Sequence, residues 1–390
     1  MNKYFWMLSF VLAIVSVEST PTVIASCTDI ATFAEGLAPT SEIHVDPSGS
    51  DTEGDGSAQS PFATIRHAVN LAVPGTAVII HPGIYSGSVN LYDVTGTSSA
   101  PIWIGGAAGE SRPIIEGGTE AIHFFRGKYI ILHDMEIRNA DINGINCDDG
   151  GDYSDPIASH HLLFKNLYIH DIGGTSNQDC LKLSGIRDYF VLNCQFERCG
   201  GGASGSGIDM VGCHRGLIAC SDFQQMSGNA IQCKGGSEDV EIRWCRIREG
   251  GQRGINMGGS TGFEFFRPPL STSEENAEAR NIRVISNIIE DTVAAFAFVG
   301  CVDSIASNNT IVNPTQWIFR ILQETASSEP YIFLPCGNNR VENNLVYFNS
   351  ELLGIFYIAS APIPIRLHFL FPTISGMHTM NPLSPHQTFL

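Results

Sequence analysis

Three cationic side chains occur in glycine-rich segments of this sequence, and their types define chemistry that the chain could do. Lys182, Lys234 and Arg253 belong to the segments DCLKLSG, AIQCKGG and RGINMGG. A neutral lysine can act as a general base, and an arginine can hold a carboxylate through two parallel hydrogen bonds. Abstraction of the C5 proton of a uronate needs both functions, because the adjacent carboxylate charge must be neutralised. We predict Lys234 as the base, kept neutral by like-charge repulsion from Arg253, with Lys182 as the competing catalytic candidate.

Polar residues of successive repeats fall at equivalent positions and predict one outward surface. Side chains alternate along a strand, so Ile208, Ile231 and Ile255 face inward. The residue after each of these isoleucines, together with the equivalent residues of the preceding repeats, forms one outward column: Asn146, Lys182, Asp209, Gln232 and Asn256. The two flanking columns are Ser184, Val211, Lys234 and Gly258, and Asp179, Ser206, Asn229 and Arg253. We assign Asp209, Gln232 and Asn256 to substrate binding. The alternative is an ordinary solenoid surface, which also carries polar columns.

Carboxylates cluster in the segment CDDGGD. Asp148, Asp149 and Asp152 surround two glycines, and such oxygens can converge on a hard cation. We predict a Ca²⁺ site there, with Asp179 as a further ligand; the alternative is a polar surface loop.

An insertion begins at FEFFRPP and runs to residue 280. Its aromatic and cationic side chains suit a sugar-binding wall in which Arg267 holds a carboxylate. We also assign His214, near the same patch, to substrate binding. The alternative is a loop that packs its own aromatics.

Short segments with period-two alternation organise the chain. Ile208, Ile231 and Ile255 recur at intervals of 23 and 24 residues, which leaves no room for crossover helices. Such spacing is typical of a parallel β-helix, in which each coil stacks on the next, whereas propeller blades need longer repeats. The asparagines of VISN, IASNN and VENN match the inward ladders that such solenoids carry at corners. We predict an all-β, right-handed parallel β-helix.

The N-terminal part supports the same fold by resemblance. The segments HVDPSGSD, GDG and PFATI, a helical pattern over 66–72, and PGTAVIIHPGIY resemble the N-terminal cap of exported right-handed parallel β-helix proteins, including many polysaccharide lyases. This resemblance implies a short N-terminal helix that covers the open end of the solenoid, and it extends over about residues 42–350.

Two lyase families share parts of the site. The Asp-Asp-x-x-Asp spacing of Asp148, Asp149 and Asp152 is similar to the calcium cluster of family 9 polysaccharide lyases, which implies Lys182 as the base. The family's glycine-aromatic pair is Cys180-Leu181 here. The succession of Lys234 and Arg253 resembles the catalytic pair of family 6 alginate and dermatan lyases. That family's acidic calcium ligands are replaced here by Ser227 and Asn229.

Charge and hydropathy limit the partners. The 390 residues carry 22 Lys+Arg against 40 Asp+Glu, a net charge of −18, which disfavours nucleic acid as a partner. Lys3 and the apolar run over 5–17 predict a signal peptide over 1–26, hence a secreted or periplasmic protein, with Cys27 as a possible lipidation site. No apolar run is long enough to span a membrane. We expect a monomer that acts on an acidic polysaccharide.

The cysteines and the C-terminal residues complete the domain interpretation. Cys194, Cys220 and Cys245 recur at intervals of 26 and 25 residues, which predicts either stacked inward thiols or some disulfides. Residues 27–350 form the β-helix domain, with its cap at about 42–75. Residues 351–390 lack the repeat and are expected to form a tail.

Three functions follow from this interpretation. The first is β-elimination of an acidic, uronate-containing polysaccharide, assisted by calcium. The second is a non-catalytic surface solenoid that binds a glycan or a protein partner. A glycoside hydrolase, the third, needs two paired carboxylates, and the sequence places Asp209 nearly alone on its face.

Overall fold

Two parallel sheets build the molecule. The computed structural model describes residues 30–174, 177–202, 204–348, 357–359 and 366–370, and for the last two segments only the backbone. The predicted signal peptide, Cys27 and most of residues 351–390 lie outside the described residues. Every pairing between the named strands is parallel, and successive strands of one sheet come from successive repeats. The predicted parallel β-helix is confirmed.

One sheet, called here the site sheet, has ten strands in the described residues. They are Val89–Tyr92, Glu120–Phe125, Asn143–Asp148, Asp179–Ser184, Ser206–Val211, Asn229–Lys234, Arg253–Gly258, Ala294–Val299, Trp317–Leu322 and Tyr357–Ala359. They follow one another in chain order, so each strand pairs with the equivalent strand of the preceding and following coils.

The remaining strands form the long sheet, which covers the other faces of the solenoid. They are Ser41–Val45, Thr76–Ile80, Ile84–Ser86, Ile102–Gly106, Ile114–Glu116, Lys128–His133, Glu136–Arg138, Ser159–Lys165, Tyr168–Ile172, Ile186–Leu192, Gln195–Cys199, His214–Ala219, Asp222–Gln224, Ser237–Arg243, Arg246–Arg248, Ala279–Arg280, Arg283–Ile285, Ile288–Glu290, Cys301–Val302, Ile305–Ser307, Thr310–Val312, Arg340–Tyr347 and Arg366–Leu370. The strands Tyr357–Ala359 and Arg366–Leu370 continue the two ladders beyond residue 350.

Apolar side chains stack inside the coils as the alternation predicts. Ile208 pairs in register with Ile231, and Ile231 with Ile255, and all three are fully buried. The same inward column continues into Phe296 and Phe319. Each residue therefore contacts its equivalents one coil away, so the core is a continuous cylinder.

A short helix covers the N-terminal end, as the resemblance implied. It spans Ile65–Leu71 and begins after Thr64, whose side chain accepts a hydrogen bond from the backbone N–H of His67. Ile65, Ala68 and Val69 are its buried residues. The apolar face of the helix thus closes the first coil and protects its edge. Among the described residues, no helix is long and apolar enough to cross a membrane.

The predicted asparagine ladder is present at one corner. Asn287, Asn309 and Asn344 are nearly fully buried on three successive coils. Asn309 Oδ1 accepts the backbone N–H of Asn287 at 2.9 Å, and Asn344 Oδ1 accepts that of Asn309 at 2.9 Å. Each side chain thereby satisfies a backbone group that the corner leaves without a strand partner.

Asn309→Ala should lower the free energy of unfolding by at least about 2 kcal/mol. The substitution leaves the Asn287 N–H and the carbonyl of Val284 without their partners, and a buried unpaired group costs about 1–3 kcal/mol. Urea unfolding measures the loss. Gln316→Ala, at an exposed position, is the control and should change stability by less than about 0.5 kcal/mol. Equal values for the two variants would contradict the structural role of the ladder.

The cysteines divide between both predicted states. Cys194 and Cys245 are buried at equivalent positions, with Ser221 between them in the register. The prediction that Cys220 belongs to this column is wrong. Cys220 lies one residue earlier, half-buried at a corner with φ of 56°, and is disulfide-bonded. A further disulfide joins Cys180 to Cys199, so buried inward thiols and disulfides coexist, but Ser221 separates the thiols of Cys194 and Cys245.

Candidate functional site

The three outward columns predicted from the sequence lie side by side on the site sheet. Lys182 pairs in register with Asp209, Asp209 with Gln232, and Gln232 with Asn256. Val211 pairs with Lys234 in one flanking column, and Asn229 pairs with Arg253 in the other. The structure therefore brings Lys182, Lys234 and Arg253 together with the polar residues assigned to substrate binding. Asn256 occupies its predicted position but is fully buried.

A buried carboxylate lies at the centre of this surface. Asp209 is 0% exposed and accepts a hydrogen bond from the Lys182 ammonium through Oδ2. Lys234 Nζ lies 3.3 Å from the same oxygen. Asp179, which is 1% exposed, lies 3.5 Å from Lys182 Nζ. The expectation that Asp209 stands nearly alone is corrected, because Lys182 bridges it to Asp179.

Burial and mutual charge separate the protonation states of the two carboxylates. Burial, together with the charge of Asp209, raises the pKa of Asp179 to about 7. Burial also opposes ionisation of Asp209, but Lys182 and Lys234 outweigh it and lower the pKa of Asp209. Burial opposes the charged form of Lys182, yet Asp209 and Asp179 raise its pKa. Lys182 is therefore held as an ammonium ion, which disfavours it as a base.

The raised pKa of Asp179 predicts a pH dependence of stability. The folded protein keeps a proton on Asp179 up to about pH 7, whereas the unfolded chain loses it near the ordinary value of 3.8. This group's contribution is therefore fully present below about pH 4 and is lost as the pH rises to about 7. Asp179→Asn should remove that part of the slope. Urea unfolding of both proteins across this range is the measurement, and parallel pH profiles would contradict the assignment.

Lys234 and Arg253 line one cavity of about 460 Å³, which is called the cation groove here. Its wall consists of Asn177, Ser204, Asn229, Gln232, Lys234, Gln252, Arg253, Ser260, Arg320 and Glu324. Arg320 and Glu324 come from the strand Trp317–Leu322 and the loop after it, and neither was predicted from the sequence. Arg253 donates a hydrogen bond to Glu324 at 3.0 Å. Repulsion from Arg253 is therefore not the only electrostatic influence on Lys234, because Glu324 pairs with Arg253 and Asp209 lies beside Lys234.

The four predicted calcium ligands lie in different surroundings. Asp148 Oδ2 is 2.7 Å from His123 Nε2, and Asp149 Oδ2 accepts a 2.5 Å hydrogen bond from Arg267 Nε. Asp152 binds the hydroxyl of Ser154, while Asp179 faces Lys182. Among the described residues, no three His, Cys, Asp or Glu side chains converge as a metal site. Because His123, Arg267 and Lys182 occupy the oxygens of Asp148, Asp149 and Asp179, the arrangement does not fit a calcium cage.

Calcium binding itself stays a prediction. Binding to the folded state alone would stabilise the protein by mass action. A higher melting temperature after millimolar calcium is added to chelated protein would support it, and an unchanged melting temperature would count against it.

The insertion is anchored to the site sheet by a buried ion pair. Arg267 is 8% exposed and binds Asp149, the carbonyl of Phe265 at 2.8 Å and the ring face of Tyr153. Gly185, with φ of 70°, allows this close approach, since a Cβ there would lie 2.3 Å from Asp149 Oδ2. Arg267 is thus already paired, and a substrate carboxylate would have to displace Asp149. His214 Nε2 lies 3.1 Å from the carbonyl of Arg267.

Glu278, which the sequence analysis also missed, fixes the groove wall. This carboxylate is 1% exposed and accepts hydrogen bonds from the backbone N–H of Gly235, from Thr261 and from Thr325. It thereby joins the residue after Lys234 to the insertion and to the loop after Glu324. No local sequence pattern signals this role, because its partners come from three separate segments.

Comparison with known proteins identifies solved structures that share this fold. No protein-family model and no curated protein matches the chain. Among solved structures, the chain is similar to an alginate lyase from Paenibacillus sp. str. FPU-7, with 15% identity and a TM-score of 0.56 over 81% of this chain and 100% of that one. It is similar to pectate lyase Pel9A, with 14% identity and a TM-score of 0.55 over 83% and 78%. A protein described as a glycoside hydrolase has 10% identity and a TM-score of 0.58 over 85% and 96%.

These likenesses confirm the predicted resemblance to polysaccharide lyases as one of structure. The class that the fold defines is a parallel β-helix whose structural neighbours include polysaccharide lyases and glycoside hydrolases. At 10–15% identity, the comparisons show the fold alone.

Proposed function

We propose that the protein cleaves an acidic, uronate-containing polysaccharide by β-elimination in the cation groove. The observation that carries this proposal is the arrangement of Lys234, Arg253 and Arg320 on one cavity wall in a chain of net charge −18. A local cationic surface on an acidic protein attracts an anionic polymer only at that place. The presence of alginate, pectate and rhamnogalacturonan lyases among the structural neighbours supports the reaction class.

The proposed reaction assigns one role to each groove residue. Arg253 pairs with the uronate carboxylate and stabilises the charge that develops when the C5 proton leaves. Lys234, as the neutral amine, accepts that proton. The electron pair of the C5–H bond forms the C4–C5 double bond, the C4–O bond breaks, and the leaving oxygen takes up a proton. Lys234 suits the base better than Lys182, because one carboxylate faces Lys234 and two face Lys182.

A glycoside hydrolase is the second candidate, and one observation favours it. Asp179, with its pKa raised to about 7, and Asp209, with its pKa lowered, are a pair whose protonation states differ, as acid and base catalysis by two carboxylates requires. Both carboxylates are almost completely buried beneath Lys182. Substrate access to them needs movement of that lysine, so we rank hydrolysis below elimination.

One assay separates these reactions from non-catalytic glycan binding. The purified protein is mixed with pectate, alginate and glycosaminoglycans, and both ultraviolet absorbance and new reducing ends are followed. Elimination gives an unsaturated uronate and therefore both signals, whereas hydrolysis gives reducing ends alone. A protein that only binds glycan gives neither signal but retains affinity for the polymer. The proposal fails if no polymer yields the unsaturated product.

A further inference from the structure

Arg320 is a cation without a carboxylate partner in the described part of the chain. It lines the cation groove, yet no Asp or Glu oxygen among the described residues lies within ion-pair distance of it. Its Nε is buried and has no hydrogen-bond acceptor there. Its guanidinium lies 4.3 Å from the ring centre of Trp317, a contact that orients the group but does not neutralise its charge.

The strand Ala294–Val299, between the strands of Arg253 and Arg320, has small residues opposite the long side chains of its neighbours. In the register, Asn256 pairs with Ala297 and Ala297 with Arg320, while Arg253 is connected to Trp317 through Ala294. Both alanines are fully buried. Ala294 and Ala297 therefore lie between the two arginines in the register, and both arginines line the cation groove. A polyanionic chain in the groove meets Arg253 on one side of this strand and Arg320 on the other.

The charges around the cation groove favour an anion beside Arg320. Arg253 forms an ion pair with Glu324, whereas Arg320 has no ion pair among the described residues. Burial and the neighbouring Arg253 lower the pKa of Arg320, and the charge of Glu324 opposes this shift only in part. A planar guanidinium that lacks an acceptor is matched geometrically by a carboxylate.

We propose that Arg320 binds the carboxylate of a second uronate of the same polysaccharide chain. The strand of Arg320 lies three strand spacings from that of Lys234, about 14 Å at about 4.8 Å per strand, a distance that an oligosaccharide spans and one sugar does not. The substrate class is therefore a polymer with closely spaced acidic sugars. This inference rests on the proposed function, because it places the reacting uronate at Lys234.

The test compares Arg320→Gln with Arg246→Gln, which changes an exposed arginine of the long sheet that pairs with Glu290. Binding of oligogalacturonate, oligoalginate and their methyl-esterified forms is titrated calorimetrically, and turnover is measured separately. We expect Arg320→Gln to weaken binding of the free-acid oligosaccharides about tenfold or more, the loss typical of a charged hydrogen bond, with no loss for the esters. Arg246→Gln should bind like the wild type.

The outcomes separate the two proposals. Arg320-dependent binding without unsaturated product overturns the elimination reaction and leaves the anion subsite standing. Cleavage with unchanged KM and affinity in Arg320→Gln overturns the subsite and leaves the reaction standing. An equal loss for esterified oligosaccharides, or the same loss in Arg246→Gln, also overturns the subsite, and failure of the wild type to bind any of the acids overturns both.

Discussion

Lys234→Ala should lower turnover of the acidic polysaccharide by about 10²–10⁴-fold, because removal of a general base has an effect of this size. Folding should be little affected. Lys234 is on the outward face of its strand, the inward Ile231 and Cys233 are unchanged, and Asp209 keeps Lys182 as its partner. Initial rates of unsaturated product formation measure the effect, and the far-ultraviolet spectrum checks the fold.

Three further variants test the assignment of the base to Lys234. Lys234→Arg places a long cationic side chain beside Asp209 but cannot supply a neutral amine at ordinary pH, so it should be nearly as inactive as Lys234→Ala. Arg253→Ala should also lose activity, partly through weaker binding of the uronate carboxylate. If Lys182→Ala is inactive while Lys234→Ala keeps a near-normal rate, the base is Lys182. If both lysine variants keep full activity, the reaction occurs elsewhere.

Asp209→Asn should destabilise the folded protein by about 3 kcal/mol. The substitution keeps the shape of the side chain but removes the charge shared by Lys182 and Lys234, and removal of one partner from a buried ion pair costs about 3–5 kcal/mol. We take the lower end because both lysine side chains keep some contact with solvent, with 18% and 14% of the side chains exposed. Urea unfolding at neutral pH measures the change.

Asp222→Asn is the matched control. Asp222 also accepts a hydrogen bond from a cation, Arg248, but 38% of its side chain is exposed, and such pairs contribute about 0–1 kcal/mol. A second variant tests the mechanism. Lys182→Met combined with Asp209→Asn should recover part of the lost stability, because it also removes the ammonium group that Asp209→Asn leaves without this carboxylate. An Asp209→Asn protein as stable as the control would show that the two lysines do not depend on this carboxylate.

The two predictions concern one physical arrangement. Lys234, the proposed base, lies 3.3 Å from Asp209 Oδ2, the oxygen that also accepts the hydrogen bond from Lys182. The two variants therefore change neighbouring groups and are read by different measurements, turnover for Lys234 and the free energy of unfolding for Asp209.

The sequence by itself determined the fold and the register of the site sheet. Inward isoleucines at intervals of 23 and 24 residues identify the coils, and alternation then assigns every residue beside them to a column. The pairing of Asp179, Ser206, Asn229 and Arg253 and that of Lys182, Asp209, Gln232 and Asn256 follow from this arithmetic. The ladder of Asn287, Asn309 and Asn344 was predictable for the same reason, because stacked coils repeat each local environment.

The register predicted for Cys220 was wrong by one residue, because this residue lies at a corner between strands. Cys220 matches the spacing of Cys194 and Cys245, but it occupies the left-handed corner position, and Ser221 takes the inward place. A column count made from cysteine spacing alone cannot detect a shift of one residue in corner length.

Only the tertiary structure decided which charges meet outside the columns. Arg267 reaches Asp149 across 118 residues of sequence, and Arg253 reaches Glu324 across 71. Glu278 joins three loops. Loops between coils have no period, so no repeat arithmetic gives their paths. Ion pairs between them depend on those paths, and the partners of Asp149, Arg253 and Arg267 were therefore visible only once the coils were stacked.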